Sequence, residues 1–155
     1  MTMDKRWKPH VSVAAIIKEN DQFLLVEEWK NNKLVLNQPA GHWEKGETLI
    51  NAVIRETLEE TGWHFEPTNI VGIYHWNHPD VSGLTYLRFA FCGNLIRFDE
   101  NYILDDGIEN AIWLDKAEII KQEKRHRSPQ LIQCIEDYDK GNRFPLEIIQ
   151  QVENR

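Results

Sequence analysis

The sequence predicts a mixed α/β or α+β domain in which helices cover a sheet. Two observations predict it. Short runs rich in β-branched and aromatic residues recur between turn-forming clusters. Between and after them lie stretches with helical spacing and capping residues, so the order is strands, helix, strands, helices. A length of 155 residues suits one domain, spanning 1–155, with room for one core.

The elements follow in order. "HVSVAAIIK" (10–18) is apolar and β-branched, a buried strand. "ENDQ" is a turn, and "FLLVEEW" (23–29) is a second strand that makes a hairpin with the first. "NNK" turns again into a short extended piece, "LVLNQP", where Pro39 biases Gln38 toward extended backbone. "AGHWEKGE" reads as a loop. "TLINAVIRETLEETG" reads as a helix with Thr48 as N-cap and Gly62 at its C-terminal end. Strands are expected at 69–77, 84–95 and 110–114. The last two helices are expected at 115–124 and 128–141, the second with Ser128 as N-cap and Pro129 in its first turn.

Composition excludes some functions. The formal net charge is -7, which argues against a nucleic-acid binder and against an anionic-membrane anchor. It leaves phosphorylated small molecules open, because a metal can supply positive charge. Cys92 and Cys134 are far apart and form no metal-ligand spacing, so they read as small buried residues. The apolar run near the start is too short to span a membrane. A cytoplasmic protein is expected.

The helix at 48–62 is unusual. Glu56, Glu59 and Glu60 stand at i, i+3 and i+4, so they share a face. Ile50, Ile54, Thr57, Leu58 and Thr61 fall mainly on the other side, expected to pack on the sheet. Like charges at this spacing repel, and the helix C-terminus disfavours anions. A hard divalent cation would relieve both, since Mg2+ takes oxygen ligands and bridges carboxylates to phosphates. Taken alone, the same spacing also fits an acidic, solvated face.

The longer stretch "GHWEKGETLINAVIRETLEETGW" adds more. Gly41 is followed after five residues by Glu47, and after seven more by Arg55-Glu56-Thr57-Leu58-Glu59-Glu60-Thr61-Gly62-Trp63. This resembles the Nudix box, G-x5-E-x7-R-E-U-x-E-E-x-G-U, where U is bulky and apolar. Every fixed position matches; Thr57 is the polar departure at the first U. The resemblance implies a Nudix-type α/β/α sandwich with a mixed β-sheet, and a hydrolase acting on diphosphate linkages. It implies Mg2+ as cofactor, with Mn2+ as a substitute. Glu56, Glu59 and Glu60 would be metal ligands, with the Gly41 carbonyl as a further one. Glu47 and Arg55 would be the supporting pair, since an arginine fork can fix carboxylate rotamers. The general base stays open between a box glutamate and Asp105, Asp106 or Glu109 in "LDDGIEN", each of which also fits a polar turn.

Other stretches, "KPHVSVAAII", "NQPAGHWE", "YHWNHPD", "LRFAFCG" and "HRSPQLIQCIEDYDKGNRFPLE", resemble a group of broad-specificity bacterial phosphatases within that family. This narrower resemblance implies a monomer that releases orthophosphate from nucleoside tri- and diphosphates, from the thiamin pyrimidine diphosphate and from isoprenoid diphosphates. The rivals are a nucleotide-pool pyrophosphohydrolase and a non-catalytic sensor on the same fold.

Binding residues are less sharply marked. Trp43 and Trp76 sit where they could line a pocket mouth, whereas Trp113 and Trp7 read as core packing. Arg127 is a candidate phosphate contact, as are Arg88 and Arg125, although all three also fit ordinary surface arginines. His42, His75 and His78 could donate to phosphates or serve as structural hydrogen-bonders.

Overall fold

Alternation along the first strand decides how the layers form. The computed structural model describes residues 5–155. In β1 (His10–Ile16), Val13 and Ala15 join one apolar cluster, and Ala14 and Ile16 join another. A strand with two apolar faces needs cover on both sides. Along its edges β1 pairs with β5 (Ala40–His42) on one side and, in parallel, with β7 (Thr85–Phe98) on the other, while helices cover its faces. β6 (Trp63–Asn77) and β9 (Phe144–Pro145) complete this mixed sheet, in the order β5-β1-β7-β6-β9.

A second sheet holds β2 (Lys18–Glu19), β3 (Gln22–Lys30) and β4 (Lys33–Asn37), with β8 (Ile108–Asp115) on the other side of β3. Its two tight turns place Asn20-Asp21 and Asn31-Asn32 at positive φ, as primed hairpin turns require. The expected hairpin between the first two strands is therefore only partial. The end of the chain segment, β2, pairs with β3, while β1 leaves for the other sheet.

Helix α1 (Leu49–Thr61) covers one face, where Ala52 and Val53 pack with Val13, Ile70 and Phe91. On the other face, Leu131, Cys134 and Ile135 of α3 (Gln130–Asp139) pack with Ala14, Ala90 and Cys92. The result is the α/β/α sandwich around a mixed sheet. Thr48 caps α1, accepting from the Asn51 N–H at 3.0 Å, and Gly62 ends it in the left-handed region at φ 78.

Several boundaries move. Ala40–His42 is a strand, not a loop, because β1 offers it a free edge. β6 starts at Trp63 instead of 69, and β7 runs on to Phe98, because their paired ends extend each other. The helix expected at 115–124 is α2 (Lys116–Lys121), capped by Asp115, followed by a 3₁₀ turn at Glu123–Arg125. α3 starts two residues after Ser128, whose Oγ still accepts from the Gln130 N–H at 3.2 Å. Among the described residues, no helix is long and apolar enough to cross a membrane.

Candidate active site

One arginine gathers the acids of the box. Arg55 donates through Nε and one terminal nitrogen to the two carboxylate oxygens of Glu47, at 3.0 and 2.8 Å. Its other terminal nitrogen donates to Glu56 at 2.8 Å and to Glu59 at 3.1 Å. The His42 carbonyl accepts a further bond at 3.0 Å. The guanidinium fork thus ties the loop before α1 to two successive turns of the helix. These bonds from Arg55 hold the Glu47 carboxyl below its usual range, and hydrogen bonding to Glu47 pushes Arg55 up.

Glu56 and Glu60 do not lie on a solvated face. They are 8% and 7% exposed and share the inner side of α1 with Ala52, Val53, Thr57 and Thr61. Ile50, Ile54 and Leu58, expected to pack inward, are only half-buried. The simple acidic-surface explanation fails here. Room for Glu56 comes from Gly41 on β5: a Cβ there would stand 2.1 Å from the Glu56 carboxylate. Glu60 accepts the Ala40 N–H at 2.8 Å. Burial raises Glu56 to about 7, against the opposing pull of Arg55. Burial raises Glu60 to about 9, and the Ala40 bond only partly offsets it. Partial burial and the nearby Asp105 also raise Glu59.

Asp105 reaches this group from the loop before β8. Its backbone N–H donates to the Glu59 carbonyl at 2.9 Å. One oxygen each from Glu56, Glu59 and Asp105 lie within 4.8 Å of one another. These oxygens can hold a divalent cation. The donors are hard oxygens, they crowd together, and one arginine cannot neutralise them all.

Beside Glu56 and Glu60 a cavity of about 230 Å³ opens between the two sheets. Of the residues singled out from sequence, Gly41, Trp76, Arg127, Arg88 and His42 also line it. Trp43 does not. It stays half-exposed, and its Nε1 donates to the Glu47 carbonyl at 2.7 Å, stapling the box loop. Glu109 accepts from Trp29 Nε1 at 2.9 Å and lines a different cleft, with Trp63 and Trp113. Trp113 packs against the core, as expected, but Trp7 is exposed and donates to the Gly83 carbonyl. Arg125 is occupied by Glu27, Gln122 and the Leu34 carbonyl. His78 accepts from the Asp80 N–H, and His75 is exposed.

Sequence reasoning missed Glu28, Asn37, Gln38 and Gln130. Glu28 lines the cavity with its carboxylate 3.6 Å from Arg127 Nε. It did leave a signal, since Glu28 is in phase with the buried Leu24 and Val26 along β3. Arg88 left one too. It is in phase with Ala90 and Cys92, so it points at a core face, and it is only 4% exposed.

The fold and the clamped acids find their counterparts among known proteins. The NUDIX domain family matches residues 8–133. Over 143 residues the chain is 39% identical to the phosphatase NudJ of Shigella boydii, covering 92% of each. It has the same identity and coverage with phosphatase NudJ of Escherichia coli K12. A NUDIX hydrolase from Nitrosomonas europaea superposes with a TM-score of 0.91 at 49% identity, covering 94% of this chain and 98% of that one. The protein is a hydrolase acting on phosphoanhydride bonds. It belongs to the Nudix family.

Proposed function

We propose that the chain is a Mg2+-dependent phosphatase that removes the terminal phosphate of small diphosphates and triphosphates, with Mn2+ able to replace Mg2+. The single observation behind it is the buried pair Glu56 and Glu60, with Glu59 and Asp105 beside them, under the Arg55 clamp. Glu56, Glu59, Glu60 and Asp105 would hold the metal, with the Gly41 carbonyl as a further donor. When bound, the cation would neutralise charge on the phosphate oxygens.

The chain's own residues do the rest. Arg55 and Glu47 fix the carboxylates in place before substrate arrives. A water oxygen bonds to the terminal phosphorus, and the bridging P–O bond breaks. The electron pair stays on the bridging oxygen, and the water proton passes to a carboxylate of this cluster. Trp76 and Tyr86, stacked with centroids 6.1 Å apart, give the part of the substrate that is not cleaved an aromatic wall.

The likeness to the NudJ phosphatases supports release of orthophosphate from nucleoside tri- and diphosphates. On the same ground the substrates include the thiamin pyrimidine diphosphate and isoprenoid diphosphates. The enzyme acts as a cytoplasmic monomer, a single Nudix domain across 1–155, with no nucleic-acid or membrane partner. An early time course on a nucleoside triphosphate, resolved by chromatography, tests it. Diphosphate and orthophosphate are expected first. Monophosphate appearing together with pyrophosphate from the start would replace this function with pyrophosphohydrolysis.

A further inference from the structure

The cavity holds a buried guanidinium that no carboxylate bonds. Arg88 extends from β7, opposite Ser12 of β1 and Tyr74 of β6, and it is 4% exposed. Its two terminal nitrogens donate to neutral amide oxygens, to Gln38 at 2.8 Å and Asn37 at 3.2 Å. Its Nε has no hydrogen-bond partner, and among the described residues it forms no ion pair. Gln130, the first residue of α3, repeats the pattern. It is 6% exposed and its Nε2 has no partner. Both residues line the cavity that Glu56 and Glu60 line.

Buried donors are normally satisfied, and a buried guanidinium normally meets a carboxylate. Two exceptions lining one cavity call for a common acceptor. We infer that Arg88 and Gln130 form an anion seat, where the terminal phosphate of the substrate rests before cleavage and as orthophosphate after it. The inference rests on the proposed phosphatase function and deepens it.

Three features favour a phosphate over the rest of a substrate. Arg88 and the Gln130 amide nitrogen offer donors, and a terminal phosphate offers only acceptors. A hydrocarbon or prenyl tail would leave the cation unpaired. The volume of about 230 Å³ is below the roughly 300 Å³ where pockets for drug-sized ligands begin. It therefore takes one end of a substrate and leaves the other outside, which agrees with broad specificity. Glu28 also faces the cavity, but Arg127 stands against its carboxylate.

Titration of inorganic phosphate into the full chain, in Mg2+ buffer and followed by calorimetry, tests the seat. The wild type should bind saturably. Gln130→Glu keeps the shape and sets a charge against the phosphate, so binding should be lost. Arg88→Lys keeps the charge but not the fork, and affinity should fall about tenfold or more. Because Gln130 Nε2 bonds to nothing, Gln130→Leu removes the donor without burying a charge, so it should weaken phosphate binding with a melting temperature near that of the wild type. The two Gln130 variants thus decide the matter even if Arg88→Lys fails to fold. Unchanged phosphate affinity in a folded Gln130→Glu chain overturns the seat, as does a wild type that binds no phosphate. Product identity is read separately. Pyrophosphate release by a chain that still binds phosphate through Gln130 would overturn the function and spare the seat.

Discussion

Two arginines serve the same cavity region and live in opposite surroundings. Arg55, on α1, meets the carboxylates of Glu47, Glu56 and Glu59 within 3.1 Å. Arg88, on β7, meets no carboxylate: it donates to the amide oxygens of Asn37 and Gln38 and lies beside the Cys134 thiol. Around Arg55 the carboxylates outnumber the one guanidinium, which favours binding of a further cation. Around Arg88 only neutral amide oxygens accept from the guanidinium, which favours binding of an anion. A metal-bridged phosphate would complete both at once. Each region is an incomplete electrostatic unit on its own, and the pair defines the ligand better than either half.

The largest effect should come from the acidic half. Glu56→Gln and Glu60→Gln should each lower turnover by about 100-fold or more, the scale of losing a metal ligand. The fold should survive. In EDTA, Glu60→Gln should melt no lower than the wild type, because a neutral amide oxygen can still accept the Ala40 N–H and no charge is buried. Full turnover in either variant would break the assignment of the acidic half. Gly41→Ala comes next. Its Cβ would fall 2.1 Å from the Glu56 carboxylate, so that side chain must swing away. Turnover about 10- to 100-fold below wild type is expected. Wild-type turnover would mean that Glu56 has freedom the packing denies it.

The two halves also differ in how far the sequence showed them. The acidic half is almost continuous, from Gly41 to Trp63, and helical periodicity alone puts Glu56, Glu59 and Glu60 together. What periodicity got wrong was direction. It assigned Ile54 and Leu58 to the buried side, whereas Glu56 and Glu60 are turned inward. The cause lies in β5, whose Gly41 and Ala40 make space and supply a donor, and β5 itself was too short to see. The basic half is scattered over β4, β7 and α3. Asn37, Arg88 and Gln130 come to one cavity only once two sheets and a helix have packed, and no local pattern links them. The exception was Arg88, a charge in phase with core residues along an apolar strand.

Replacing the clamp should give a smaller loss. Arg55→Lys keeps the charge but gives up the paired bonds to Glu47 and the shared bonds to Glu56 and Glu59. About a tenfold loss of turnover is expected, with weaker metal affinity in a Mg2+ titration. The melting temperature should barely move. A titration superimposable on the wild type would show that the acids hold their positions unaided.

Acidity offers a subtler test of the same half. Glu56 and Glu60 have folded-state values of about 7 and about 9, above the ordinary 4.5. Between the ordinary value and those values the folded chain holds protons that the unfolded chain has released. Stability of the metal-free protein should therefore fall as pH rises from about 5 to about 9. Divalent metal should remove much of that fall, because it favours the ionised carboxylates. Melting curves across this range, with Mg2+ and with EDTA, measure the difference. Parallel curves would mean that the metal does not engage these two groups.

The smallest effect should come from Glu109, and it separates the active cavity from its neighbour. Sequence placed Asp105, Asp106 and Glu109 together as candidate bases, all in one short loop. The structure parts them. Asp105 joins Glu56 and Glu59, whereas Glu109 turns away to accept the Trp29 indole N–H and lines the aromatic cleft of about 440 Å³. A bulge explains the split. In β8 the pairing with β3 passes from Asn110 to Ile108 and skips Glu109, whose side chain is held by the Trp29 indole, whereas Asp105 precedes the strand and its N–H bonds the end of α1. A base must lie within hydrogen-bond reach of the attacking water, and Glu109 is held elsewhere. Glu109→Ala should keep turnover within about twofold of wild type and cost about 1 kcal/mol of stability through the lost Trp29 bond. Asp105→Asn should lower turnover by about tenfold or more. Steady-state kinetics on the two variants side by side decides between them: a larger loss in Glu109→Ala than in Asp105→Asn would exchange their roles and place the aromatic cleft in the reaction.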